Sequence, residues 1–81
     1  MQVLSVGLRR TFAENFRKAR MAAGLTQRAV FEITGVDAAS VSRIEGATWN
    51  LSLDTVARLA AAVGMQPHQL LTPQPPPERE G

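Results

Sequence analysis

The sequence predicts an all-α fold, a compact bundle of about five short helices, and three observations predict it. Apolar residues recur at spacings of three and four, with no stretch of the strict alternation that marks a half-buried strand. Gly24, Gly35, Gly46 and Gly64 each follow such a stretch, where helix C-terminal caps fall. Thr11, Thr26, Asp37 and Ser52 each precede one, where an oxygen-bearing side chain caps the free N–H groups of a helix start.

The elements follow in order. Thr11-Phe12-Ala13-Glu14 reads as a capping box, opening a first helix from about Phe12 to Ala23 with Phe12, Phe16, Ala19 and Ala23 on one stripe. Thr26 caps a second helix, Gln27 to Thr34, with Val30 and Ile33 turned inward and Phe31 a further candidate. Asp37 caps a third, Ala38 to Glu45, whose inner face is Val41 and Ile44. After the irregular segment GATWNL, Ser52 caps a fourth, Leu53 to Val63, with Leu53, Val56, Leu59, Ala60 and Val63 apolar. Pro67 suits the first position of a last turn, His68 to Leu71. Phe12, Phe16, Phe31, Met65 and Leu70 read as core.

Residues 11–71 therefore form the domain. Residues 1–10 show no clear periodicity and are expected to be a flexible arm. Residues 72–81, TPQPPPEREG, hold four prolines and almost nothing apolar, so they are expected to be a disordered tail.

Composition removes several function classes. No cysteine is present, so disulfides and thiolate metal cages are excluded, and a single histidine makes no zinc site. With one His, no Cys and no Tyr, no nucleophile–base arrangement, Gly-rich phosphate loop or paired carboxylates, an enzyme is not expected, and no cofactor or metal is implied. No apolar stretch approaches the roughly 20 residues of a spanning helix, and Met1–Leu8 lacks the basic start of a signal peptide. A soluble, cytoplasmic domain is the expectation. Charge is unevenly placed. Through Arg28 there are six basic residues (Arg9, Arg10, Arg17, Lys18, Arg20, Arg28) against Glu14 alone; from Ala29 onward there are three basic against six acidic. Such a basic half suits a polyanionic partner.

The join between the second and third helices sharpens this. Gly35 ends an eight-residue helix and Asp37 opens the next, the spacing of a helix-turn-helix. With Val41 and Ile44 inward, 3.6 residues per turn puts Ala39, Ser42 and Arg43 outward, with Ala38 and Gly46 at the edges. Small side chains let a helix seat deep in the major groove, and an arginine fork matches guanine O6 and N7.

Residues 12–71 resemble the Cro/CI-type, lambda-repressor-like helix-turn-helix DNA-binding domain. The resemblance rests on FAENFRKARMAAGLTQ, TGVDAASVSRIE and NLSLDTVARLAAAVGM, and most of all on G-L-T-Q at 24–27, G-V at 35–36, S-R-I-E at 42–45 and N-x-S-L-D at 50–54. It implies that Gln27 and Arg28, opening the second helix, meet the DNA backbone. Ala38, Ala39, Ser42 and Arg43 would face bases or adjacent backbone, and Thr48, Trp49 and Asn50 would run along phosphates. Arg20 and Glu45 occupy positions that form an internal ion pair in many members, and a glutamate near a helix C-terminus does call for an answering cation.

Three departures stand out. Phe31 takes a place where the family keeps alanine, so it must splay the helix pair or swing outward. Ala47, Thr48 and Trp49 replace the usual Gly and basic residues. Only Arg43 on the third helix is a strong base reader, which leaves more of the specificity to DNA shape.

Two functional readings follow. The first is a sequence-specific double-stranded DNA-binding transcriptional regulator, a repressor, reading an inverted-repeat operator as a homodimer, with Met65, Leu70 and Leu71 as interface candidates. The second is an antitoxin-type interaction module that neutralises a partner protein and regulates its own operon.

Overall fold

In a computed structural model, residues 2–73 are described, with side chains described from Gly7 onward. Five helices make the fold: α1 (Gln2–Ala22), α2 (Gln27–Thr34), α3 (Ala38–Glu45), α4 (Leu53–Ala62) and α5 (Pro67–Leu71). There is no strand among the described residues. α1 packs on α3 and α5, α2 on α3 and α4, and α4 on α5. The core they enclose is Phe12, Phe16, Val30, Val41, Ile44, Val56, Leu59, Ala60 and Leu70. Phe12 and Phe16, one turn apart on α1, stack with ring centroids 5.8 Å apart and planes 4° from parallel. At about 1.5–3 kcal/mol for each large apolar side chain buried, this cluster is the main source of stability in so small a domain.

Chemistry at the helix ends sets their lengths. Thr26, Asp37 and Ser52 each accept a hydrogen bond from the backbone N–H three residues on, so α2, α3 and α4 start where an oxygen can satisfy a free donor. Gly24, Gly35 and Gly64 take left-handed φ values of 73°, 82° and 72°, a region that costs a residue without a Cβ little. At Gly24 and Gly64 the paired bonds of a Schellman turn close the helix: Leu25 N–H to the Arg20 carbonyl, and Met65 N–H to the Ala60 carbonyl.

Four expectations are corrected. Residues 2–10 are helical, not a loose arm, and Thr11 lies inside α1, so no capping box opens the helix there. Once Phe12 and Phe16 dock, each further residue adds a hydrogen bond without a new nucleation cost, and no proline interrupts the run. Ile33, expected inward, is 57% exposed. It faces a shallow hollow beside Thr34, Arg58, Ala61 and Ala62, where the alanines of α4 are too short to cover it. Phe31 is exposed as well, so of the two outcomes open to it the ring takes the outward one. Leu53 is 82% exposed, at the first position of α4, outside the crossing with α2 and α5. Of the Pro-rich tail, 74–81 lie outside the described residues.

Candidate nucleic-acid interface

The turn between α2 and α3 is held by three short-range bonds. Thr34 Oγ1 donates to the Val30 carbonyl at 2.7 Å and accepts from Val36 N–H at 3.0 Å, so one hydroxyl closes α2 and begins the turn. Asp37 Oδ1 accepts from Ser40 N–H at 2.7 Å. That hydrogen bond to the charged form holds the Asp37 carboxyl below its ordinary range. With Val36 packed on the core and Val41 and Ile44 buried, the rotation of α3 about its axis is determined.

Ala39, Ser42 and Arg43 then lie exposed together on the outer face of α3, and Ala38 is half-buried at its edge. Arg43 is the one long side chain of this group. Arg28 is exposed on α2, its Nε 3.7 Å from Glu32 Oε2. A pair so open to water is worth little and leaves the guanidinium available.

Behind α3 lies a tighter arrangement. Arg20 Nε donates to Glu45 Oε2 at 2.6 Å and Nη2 to Oε1 at 3.0 Å, a two-pronged pair with side chains only 12% and 6% exposed. Arg20 Nη1 also donates to the Leu25 carbonyl at 2.8 Å. The hydrogen bond to Glu45 is the main cause that raises the Arg20 pKa further above its ordinary value. Gln27 Nε2 donates to the same Glu45 Oε1 at 3.2 Å. One carboxylate thus joins the end of α1, the start of α2 and the end of α3. It also orients the Gln27 amide, leaving one side-chain N–H directed elsewhere. The Thr26 cap takes the Ala29 N–H at 2.9 Å, so the N–H groups of Gln27 and Arg28 are the open donors of this helix end.

The segment after α3 has its own geometry. Gly46 has φ −87°, whereas Ala47 has φ 62°, in the left-handed region. Ala47 N–H donates to the Ile44 carbonyl at 3.0 Å and Thr48 N–H to the Arg43 carbonyl at 3.1 Å, the bond pattern of a Schellman turn with alanine in the glycine position. Thr48 Oγ1 adds a bond to that same Arg43 carbonyl at 3.2 Å. The hydroxyl expected on phosphate is therefore spent inside the protein as a donor, and keeps only acceptor capacity, which a phosphate cannot use. Trp49 is exposed beyond it. Asn50 is exposed too, but at the lip of a groove shared with Leu8 and Leu53.

Gln27, Ala38, Ala39, Ser42 and Arg43 are thus grouped around the helix-turn-helix, while Asn50 belongs to a second feature that sequence reading did not single out. No group of three metal-ligating side chains occurs among the described residues, and no helix among them is long and apolar enough to cross a membrane.

A family model described as helix-turn-helix domain matches residues 11–72. The chain belongs to the helix-turn-helix domain family. This helix-turn-helix protein is 38% identical over 72 residues to a Neisseria hypothetical transcription factor from Neisseria meningitidis serogroup B, covering 89% of this chain. It spans 66% of that relative's length, a little under two thirds. Among solved structures, the hypothetical transcription factor NHTF from Neisseria superposes with a TM-score of 0.78 at 36% identity, over 82% of this chain and 76% of that one. The restriction-modification controller protein C.AhdI from Aeromonas hydrophila gives 0.75 at 29% identity, over 80% and 94%. The clp gene regulator ClgR from Corynebacterium glutamicum gives 0.75 at 25%, over 79% and 68%. These neighbours are Cro/CI-like regulators, and the helix-turn-helix protein is a homologue of DNA-binding transcription factors, not of enzymes.

Proposed function

We propose that the protein is a sequence-specific transcriptional repressor of the cytoplasm that reads an inverted-repeat operator as a homodimer. The observation that carries this reading is the outer face of α3, where Arg43 stands alone among Ala39 and Ser42 on a helix fixed from behind by the Arg20–Glu45 pair. Small neighbours admit the helix to the major groove, and the arginine fork pairs with one guanine per half-site. Gln27 and the open N–H groups at the start of α2 take a phosphate and set the register. Arg28 adds a screened charge, and Ala38 and Trp49 line the adjacent backbone.

One eight-residue helix reads too few base pairs to be selective, so two copies act together, with half-site centres about 34–36 Å apart. Selection of bound sequences from a random duplex-DNA pool at near-physiological salt tests this. The expected result is an enriched inverted repeat of fixed spacing. Retention without enrichment would leave only electrostatic attraction to phosphate and end the sequence-specific reading.

A further inference from the structure

Where α1 packs on α5, Asn15, Lys18, Ala19 and Ala22 share one face of α1, at helical spacings of three and four, with Met65 and His68 opposite them. A helix pair normally fills such a seam with interlocking side chains. Here Ala19 and Ala22 are too short to do so, and a groove of about 500 Å³ stays open between the two elements. We infer that this groove binds a small aromatic carboxylic acid that carries a hydroxyl beside its carboxylate. The inference goes beyond the DNA reading above and uses no residue of α2 or α3.

The first requirement is a donor for Asn15. Its side chain lines the groove yet the residue is only 8% exposed, and its amide nitrogen donates to the carbonyls of Leu70 and Thr72, at 2.9 Å each. Those two partners fix which end of the amide is which, because a carbonyl can only accept. Oδ1 is the end left over. It receives no hydrogen bond among the described residues, and it is not sealed from solvent. An open acceptor on a nearly buried side chain, in the wall of a groove, selects a ligand O–H.

Charge selects the second group. Lys18 on α1 and His68 on α5 border the groove from its two sides, and neither is in an ion pair among the described residues. An ammonium and a ring N–H from facing elements suit a carboxylate, and no acidic side chain among the described residues lines the groove to compete. Asn15 and Lys18 are three apart on one helix face, about 5–6 Å between Cβ atoms, so a hydroxyl and a carboxylate on adjacent carbons reach both.

The floor selects the body of the ligand. Ala19 and Met65 are partly buried against the core, and Ala22 extends that surface to the end of α1. Methyl groups leave a low surface on which a ring can lie, and a thioether makes favourable contacts with a ring edge at about 5 Å. A mostly apolar groove with a few convergent polar groups, within roughly 300–1,000 Å³, has the make-up of a small-molecule site.

The test is a proton–nitrogen and proton–carbon correlation NMR titration of the full chain, without DNA, with phenyllactate. Saturable shifts at the Asn15 side-chain amide, Ala22, Met65 and His68 are expected, with a Kd of about 1 mM or tighter for a ligand of this size. Phenylpropionate, which lacks the hydroxyl, and phenylethanol, which lacks the carboxylate, should each bind about threefold to tenfold more weakly. Ala22→Phe fills the groove from an exposed position at the end of α1, and should abolish the shifts with circular dichroism unchanged. Lys18→Gln should weaken phenyllactate binding and leave phenylethanol binding as it was. Equal affinity for the three compounds would overturn the inference, as would shifts that survive Ala22→Phe. So would the absence of saturable shifts at roughly ten times the expected Kd. Each of these failures leaves the DNA reading standing, since no DNA is present.

Discussion

The side-chain amide of Asn15 donates to the carbonyl of Leu70 at 2.9 Å, and on to that of Thr72 at the same distance, so a buried polar group on α1 closes the last helix 55 residues later. The final carbonyls of a helix have no partner within it, and α5 is only five residues long. Asn15 meets that need from the core side and docks the C-terminal turn that carries buried Leu70. Asn15→Leu leaves both carbonyls without this donor and should cost about 1–3 kcal/mol in urea unfolding. DNA selectivity of the folded fraction should be unchanged, since the Asn15 amide bonds to the end of α5 and not to the outer face of α3. An unaltered unfolding midpoint would count against its role.

Ala47 and Gly46 stand in the order opposite to the one their backbone angles favour. A left-handed residue with a Cβ costs roughly 1–2 kcal/mol, part of which glycine would give back through its freer unfolded chain. Ala47→Gly should therefore raise stability by about 0.5–1 kcal/mol. Gly46→Ala should also be stabilising, by about 0.4–1 kcal/mol, because an added Cβ meets the Ser42 and Arg43 carbonyl oxygens at an ordinary 3.5 and 3.6 Å. Thermal unfolding of both variants and of the swap checks the pair, and a loss on Ala47→Gly would refute the argument.

For the Arg20–Glu45 pair the asymmetry between breaking and replacing matters. Removing one partner leaves a largely buried charge alone, a loss of about 3–5 kcal/mol for fully buried pairs and nearer the lower figure here, where Arg20 keeps some contact with water. Replacing both by methionine should recover much of that loss. A double-mutant cycle measures the difference. Glu45→Ala should in addition weaken DNA binding, because Gln27 loses the acceptor that orients its amide.

Arg43→Ala should cost about 1–3 kcal/mol of operator affinity and relax selectivity at one position per half-site. Gln27→Ala should weaken binding evenly across sequences, as loss of a phosphate contact does. Binding titrations over single-base operator variants separate the two patterns. A sequence-dependent effect of Gln27→Ala would remove it from the backbone role.

Acid sensitivity traces to Asp37. Its folded pKa lies below the ordinary value of about 3.8, chiefly through the Ser40 N–H. A lowered carboxylate pKa contributes stability that is fully present above the unfolded value and lost as pH falls through the folded one. Asp37→Asn keeps an accepting oxygen at every pH, so its stability should vary less with pH on the acid side. Curves of equal slope for the two proteins below about pH 4 would contradict this.

Much of this fold could be read directly from residue order. The bounds of α2 and α3 follow from Thr26, Gly35 and Asp37, residues whose preferences act within one turn of chain. The outward grouping of Ala39, Ser42 and Arg43 follows from helical periodicity once Val41 and Ile44 face the core. What escaped depends on distant or backbone geometry. The start of α1 is set by docking of Phe12 and Phe16, not by Thr11. The exposure of Ile33 depends on how short the facing α4 side chains are. The Gln27 amide and the Thr48 hydroxyl are directed by Glu45 and by the Arg43 carbonyl, and neither partner can be assigned before the helices are placed. The exposure of Leu53, apolar like Val56 and Leu59, follows from its place at the first position of α4, which projects beyond the packing.

Trp49 has a consequence for observation in solution. It is the only tryptophan in a chain without tyrosine, so ultraviolet emission excited at its red edge comes from a single place, just past the left-handed turn at Ala47. The indole is already partly in water, so its spectrum responds to whatever covers or uncovers this one segment. The chain thus carries an optical reporter at the rim of α3, needing no dye and no added residue.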